Sequence, residues 1–385
     1  MQLSVIILNY NVRYFLELCV LSVQNSIQNL DAEIIVIDNN SQDDSCEMMK
    51  QRFPNVKLIE NTENSGFPKG NNIGVSEAQG EYICILNPDT VIAEDTFTKV
   101  LAFAKKQNDL GIIGCKLIDG TGNFLPESKR GTPTPFVAFT KITGLYKIFP
   151  QTFGKYYAQH LSENETGKVE ILVGAFMLMK RELYLEIGGF DEDCFMYSDD
   201  IDLSYMALKK GKSNYYFHET AVIHYKGEST VKDGIYMKRN QQAMNFFFKK
   251  HFRVSFFFTV FMKMGILFFS VVKLFQWKPK PKSNPENFIL ISNDEILRKK
   301  LENQLGKRVE IQNVSFPFLK NSSATEIIFD QNYLDFGAII TALEANKNKG
   351  FTFKIIPKSS HFMLGSNSSF DRGEVVEISD FRFQI

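Results

Sequence analysis

The sequence predicts an α/β fold: one large unit built on a parallel sheet, then an apolar helix, then a second, small α/β unit. Three observations carry this. Short apolar runs alternate with helical apolar spacing from residue 3 to residue 86. The runs that precede Asn9, Asp38 and Asp89 each pass into a polar or acidic residue. After a Lys- and Pro-rich stretch at 278–285 the same alternation begins again.

The elements follow in order. Leu3-Ser4-Val5-Ile6-Ile7-Leu8 suits a strand covered on both faces. Residues 13–29 place Phe15, Leu16, Cys19, Val20, Val23 and Ile27 at helical spacing. Residues 33–37 read as a second strand, 43–53 as a helix and 56–60 as a third strand. Asn64-Ser65-Gly66-Phe67-Pro68-Lys69-Gly70-Asn71-Asn72 is expected as a loop leading into a helix through Ala78. Residues 81–86 form the strand before Asn87-Pro88-Asp89-Thr90. Alternation of this length gives right-handed β-α-β units, whose ligands bind at the carboxyl ends of the strands. Asn9, Asp38 and Asp89 are therefore expected on one rim.

That rim suits a nucleotide. A carboxylate where a buried strand meets solvent can hold a hard divalent cation and leave room for phosphate oxygens. Asn-Pro-Asp alone is also a common turn. Asp38 can accept from a base N–H or a ribose hydroxyl, or can cap the following helix. The 66–72 loop can let backbone approach a diphosphate. It lacks the Gly-Lys-Ser/Thr of a phosphate-binding P-loop, and no G-x-G-x-x-G follows the first strand.

Together the motifs resemble the family 2 glycosyltransferases, and within them the rhamnosyltransferase-like branch of bacterial surface-polysaccharide synthesis. The resemblance runs through Asn9-Tyr10-Asn11, Ile37-Asp38-Asn39-Asn40-Ser41, Asn64-Ser65-Gly66-Phe67, Gly70-Asn71-Asn72 and Asn87-Pro88-Asp89-Thr90. It continues through Gly174-Ala175-Phe176-Met177, Gly188-Gly189-Phe190-Asp191-Glu192 and Phe195-Met196-Tyr197-Ser198-Asp199-Asp200-Ile201-Asp202. It ends near His224 and Lys238-Arg239-Asn240, and so covers about residues 1–250.

The resemblance implies a GT-A fold and an inverting, metal-dependent hexosyltransferase. Asp38 would read the nucleobase, with Asn9, Asn40, Gly66, Asn71 and Asn87 around the nucleotide sugar. Asp89 and His224 would hold Mg2+ or Mn2+. Asn87 stands where the family has a first acid, so the sugar diphosphate would complete the metal shell. Asp200 would be the base, with Asp199 beside it. An acceptor hydroxyl attacks poorly unless its proton leaves as the bond forms, and a carboxylate about 3 Å away can take it. In a helix starting at Asp199, Asp199 and Asp202 would share a face and leave Asp200 solitary. Relatives often carry an Arg four residues after the second Asp of that cluster; here the stretch reads Leu203-Ser204-Tyr205-Met206-Ala207.

Composition fits an intracellular protein of two domains. Among 385 residues, Lys plus Arg equals Asp plus Glu at 44 each, so no basic field points to nucleic acid. Five scattered cysteines lack any C-x-x-C and suggest reduced, buried thiols. The first apolar run is too short for a signal peptide.

Residues 251–277 read as an apolar helix. Its length could span a bilayer, but Lys263 at its centre and the flanking lysines favour an interfacial helix on an anionic leaflet. Residues 278–285 read as a linker. Residues 286–385 read as a small accessory α/β domain, vaguely similar to the Rossmann-like soluble part of some sugar-phosphate transferases. Gly365-Ser366-Asn367-Ser368-Ser369 is a flexible loop or an anion-binding turn.

The expected function is transfer of a sugar from a nucleotide donor, dTDP-rhamnose or a UDP-sugar, to a lipid-linked glycan at the inner membrane face. Two alternatives stay open: a catalytically weak nucleotide-sugar-binding scaffold and a nucleotidyltransferase.

Overall fold

The computed structural model describes residues 1–134, 137, 157–226, 234–252, 285–313, 324–367 and 373–378. These residues form two sheets. The larger opens with β1 (Leu3–Asn9), α1 (Arg13–Ile27), β2 (Ala32–Asp38), α2 (Ser45–Arg52), β3 (Lys57–Glu60), α3 (Gly66–Ser76) and β4 (Tyr82–Leu86). The four strands are parallel in the order β3-β2-β1-β4. Every residue of β1 and β4 is buried, which is why neither shows polar alternation.

The chain then adds β5 (Thr90–Val91), α4 (Thr96–Ala104), β6 (Leu110–Ile118), β7 (Gly167–Val169), β8 (Phe176–Lys180) and α5 (Arg181–Glu186). It continues with α6 (Asp199–Lys209), β9 (Ser213–His224) and α7 (Gly234–His251). Here the sheet becomes mixed. β8 runs antiparallel between β4 and β6, and β9 and β5 complete the far edge. Apolar runs carry no record of strand direction, so this half was not foreseeable from periodicity.

One element differs in kind. Gly66–Asn72 is not a loop; it forms the first turns of α3. Gly70 and Gly74 serve helix–sheet packing rather than phosphate approach. A Cβ at Gly74 would lie 2.5 Å from Ile37 Cδ1 and 2.6 Å from Ile6 Cγ2. Absent side chains let α3 settle onto β1 and β2.

The second sheet comprises β10 (Asn287–Ile291), α8 (Glu295–Leu305), β11 (Val309–Gln312), β12 (Thr325–Asp330), α9 (Phe336–Asn346), β13 (Phe351–Ile356), β14 (Phe362–Gly365) and β15 (Glu374–Glu377). The strand order is β11-β10-β12-β13-β14-β15. The first four strands are parallel and the last two antiparallel. Asp294 caps α8 by accepting from Ile296 N–H and Leu297 N–H, and Asp335 caps α9 through Ala338 N–H. The two sheets share one apolar core: Val91, Ile118, Ile223 and Tyr225 join Phe336, Ile339, Leu343 and Phe353.

No helix among the described residues is long and apolar enough to cross a membrane. The expected apolar helix lies outside the described residues beyond Phe252. Of the stretch 365–369, Gly365 ends β14 and residues 368–369 lie outside the described residues. All five cysteines are free, and four are buried.

Candidate active site

The parallel strands bring Asn9 and Asp38 side by side at their carboxyl ends. Asn9 Nδ2 donates to Asp38 Oδ1 at 2.7 Å, and Ser41 N–H donates to Asp38 Oδ2 at 2.8 Å. Both residues are buried. Asn40 turns the chain in the left-handed region at φ 63° and is exposed. Asn39, which sequence reasoning passed over, joins this rim to the next: its side chain bonds Asn61, Asn64, Ser65 and the Gly66 carbonyl.

Two expected donor-site residues lie within packed structure. Asn71 is fully buried in α3; it donates to the Phe67 carbonyl, and its Oδ1 has no hydrogen-bond partner among the described residues. Gly66 has φ +82° and lies beneath the Phe195 ring, where a Cβ would come within 2.8 Å of Cδ2. Its missing side chain admits the 195–198 segment. Phe67 N–H donates to Phe195 O, tying the two segments.

Asp89 and His224 meet where β5 pairs with β9. Thr90 stands opposite His224, and Tyr225 N–H donates to Asp89 O at 3.0 Å. His224 Nε2 lies 3.4 Å from Asp89 Oδ1 and 3.4 Å from Asn87 Nδ2. Asn87 Oδ1 and His224 Nδ1 are buried with no hydrogen-bond partner among the described residues. A carboxylate oxygen, an imidazole and an orphaned amide oxygen form a donor set suited to Mn2+ or Mg2+. No group of three or more His, Cys, Asp or Glu that could hold a metal occurs among the described residues. Asp89 and His224 by themselves would supply only part of a metal's shell.

The acidic cluster opens α6 as expected, but its side chains divide differently. Asp199 and Asp200 stay together against Gly174, whose Cβ position is 3.8 Å from Asp199 Oδ2 and 3.6 Å from Asp200 Cβ. Asp202 points away, to His251 Nε2 at 2.5 Å and Lys250 Nζ at 2.9 Å. The cause lies in the entry to the helix. Tyr197 adopts φ 80°, and Asp199, at the first helical position, folds back onto the N–H groups of its own turn. Nor is Asp200 solitary: Arg130 Nη2 lies 2.5 Å from its Oδ2, and Gly174 N–H donates to the same oxygen at 3.2 Å. Burial, and then the Asp200 carboxylate, raises Asp199 to about 7.

The cations beside this cluster come from elsewhere in the chain. Arg130 serves Asp200, and Lys250 serves Asp202 together with Asp191. No spacing rule could have found Arg130, which approaches from 70 residues away.

Residues 4–188 match the glycosyl transferase family 2 model. Asp199, Asp200 and His224 lie beyond that match. The N-acetylglucosaminyl-diphospho-decaprenol L-rhamnosyltransferase of Mycobacterium tuberculosis is 26% identical over 212 residues, 52% of this chain and 68% of that protein. The poly(ribitol-phosphate) beta-glucosyltransferase of Bacillus spizizenii is 28% identical over 219 residues, 55% of this chain but only 33% of that protein. Among solved structures, the Pyrobaculum calidifontis mannosyltransferase PcManGT, in complex with GDP-Man and Mn2+, is 20% identical, with a TM-score of 0.47 over 66% of this chain and 65% of that one. Through residues 4–188, just under half of its length, the chain is similar to glycosyl transferase family 2.

Proposed function

We propose that this hexosyltransferase moves a sugar, with inversion, from a nucleotide-sugar donor to a lipid-linked glycan acceptor. The observation that carries the mechanism is the buried pair Asp199–Asp200, in which Arg130 and Gly174 N–H hold Asp200 Oδ2. Burial raises the proton affinity of Asp199, the direction a general base needs. With Asp200 held in its ion pair to orient the site, Asp199 takes the proton of the acceptor hydroxyl. This reverses the order expected from the sequence, where Asp200 was the base. One in-line displacement then suffices, with no covalent intermediate.

Asp38 accepts from the nucleobase or ribose, oriented by Asn9 and Ser41. Asp89 and His224 would hold the divalent ion, which when bound neutralises charge on the departing diphosphate. The names of the mycobacterial and Bacillus relatives, an N-acetylglucosaminyl-diphospho-decaprenol L-rhamnosyltransferase and a poly(ribitol-phosphate) beta-glucosyltransferase, support a lipid-linked or polymeric acceptor and a rhamnosyl or glucosyl donor. The apolar, lysine-flanked stretch 252–275 supports docking of residues 1–250 at the inner membrane face, with 286–385 as accessory domain.

A thermal-shift series with UDP, dTDP and GDP, each with and without Mn2+, tests the donor site. One nucleotide should stabilise the wild type in a metal-dependent manner, and Asp38→Ala should lose the shift. A folded protein that responds to none of them would refute the donor assignment.

A further inference from the structure

Both candidate metal ligands lie at the β5–β9 pair, Asp89 just before β5 and His224 at the end of β9, and this pair packs against the second sheet. Val91 follows Asp89 by two residues, and Ile223 and Tyr225 flank His224. All three are buried in the core shared with Phe336, Ile339 and Leu343 of α9. Polar contacts fix the same junction. Glu94, just past β5, accepts from both Phe336 N–H at 2.8 Å and Gly337 N–H at 2.9 Å, one through each carboxylate oxygen. Those two N–H groups open α9, where a helix has unsatisfied donors and a positive dipole end. Lys116, almost fully buried in β6, pairs with Glu344 of α9 at 2.9 Å. The nucleobase end is tied as well: Tyr14 donates to Glu377 at 2.5 Å, and Arg52 donates to the Lys358 carbonyl at 2.9 Å.

We propose that the C-terminal sheet is a brace for the donor site, and that Glu94 is the positioning residue that locks α9 behind the strand pair carrying Asp89 and His224. A two-residue β5 has too few ladder bonds to hold Asp89 by itself. Its register against His224 is set by what packs behind it. The inference rests on the assignment of Asp89 and His224 as metal ligands.

Binding of Mn2+ alone to the full chain, followed by the electron paramagnetic resonance signal of free Mn2+, tests it. Glu94→Ala should weaken Mn2+ binding roughly five- to tenfold, and Glu94→Gln, which keeps one acceptor oxygen, should fall between it and wild type. Leu301→Ala, in the separate core between α8 and its sheet, provides a control of similar lost stability. It should leave Mn2+ affinity unchanged, which a merely structural role for Glu94 would not predict. Wild-type affinity in folded Glu94→Ala, alongside loss of binding in Asp89→Ala, would overturn the brace and keep the metal site. Retained binding in Asp89→Ala would instead overturn the metal assignment beneath it. Should Glu94→Ala not fold, Glu94→Gln carries the same comparison.

Discussion

Arg130 Nη2 lies 2.5 Å from Asp200 Oδ2, with both side chains about nine-tenths buried. The guanidinium also donates to the Leu172 carbonyl at 2.9 Å, so it is fixed at two points. A cation from outside the acidic motif thus holds one member of the pair and leaves the other, Asp199, with the raised proton affinity.

Removing that cation strands a buried carboxylate, a change that costs about 3–5 kcal/mol. Arg130→Ala should lose stability on that scale in urea unfolding and drop turnover about 100-fold. Nucleotide binding should hold, since Asp38 is untouched. Combining it with Asp200→Asn should recover most of the stability and none of the turnover. A double variant as unstable as Arg130→Ala would mean that the pair is not the source of the loss.

Asp199 sets a pH window. Its folded value of about 7 exceeds the ordinary 3.8, so the folded chain holds this proton more tightly than the unfolded one. The resulting stabilisation is complete below the unfolded value and fades as pH rises through about 7. Turnover moves the opposite way and should climb through the same interval as the base is freed. In Asp199→Asn that limb of kcat/KM should vanish, with activity at least about 100-fold lower. An unchanged limb would assign the base elsewhere.

Gly74 offers a test of packing alone. Alanine in a helix usually gains about 1 kcal/mol over glycine. Here a Cβ would meet Ile6 Cγ2 at 2.6 Å, on a branched side chain with little freedom to yield. Overpacking of about 1–3 kcal/mol should outweigh the gain. Gly74→Ala should therefore lower the urea midpoint. A raised midpoint would show that α3 can lift from the sheet without cost.

His224 should tune metal affinity rather than create it. His224→Ala should raise the Mn2+ concentration for half-maximal turnover about tenfold and leave the maximum near wild type; Asp89→Ala should lose activity at any concentration. Equal effects of the two substitutions would argue against a shared shell.

The sequence announced β1 to β4 and most of the second sheet because their apolar runs are local signals. The helices Glu295–Leu305 and Phe336–Asn346 belong to the alternation that resumes after residue 285. What escaped was set by distant partners. The glycines of α3 looked like a phosphate loop because the reason for them, Ile6 and Ile37, is elsewhere in the chain. The pairing of Lys250 with Asp191 and Asp202 is likewise invisible to local spacing. The division of labour between Asp199 and Asp200 depends on Arg130 and on the φ of Tyr197, neither of which residue spacing records.

The strand order also dictates when each end of the site can form. Asn9 and Asp38 are 29 residues apart and become neighbours as soon as two adjacent strands pair. Asn87 and His224 are 137 residues apart, and their meeting closes a far larger loop, entropically the later event. A chain emerging during synthesis would complete its Asn9–Asp38 rim well before its Asn87–His224 edge. Pulse-labelling hydrogen exchange during refolding should find β1 and β2 amides protected first, and those of Tyr225 and Val91 last.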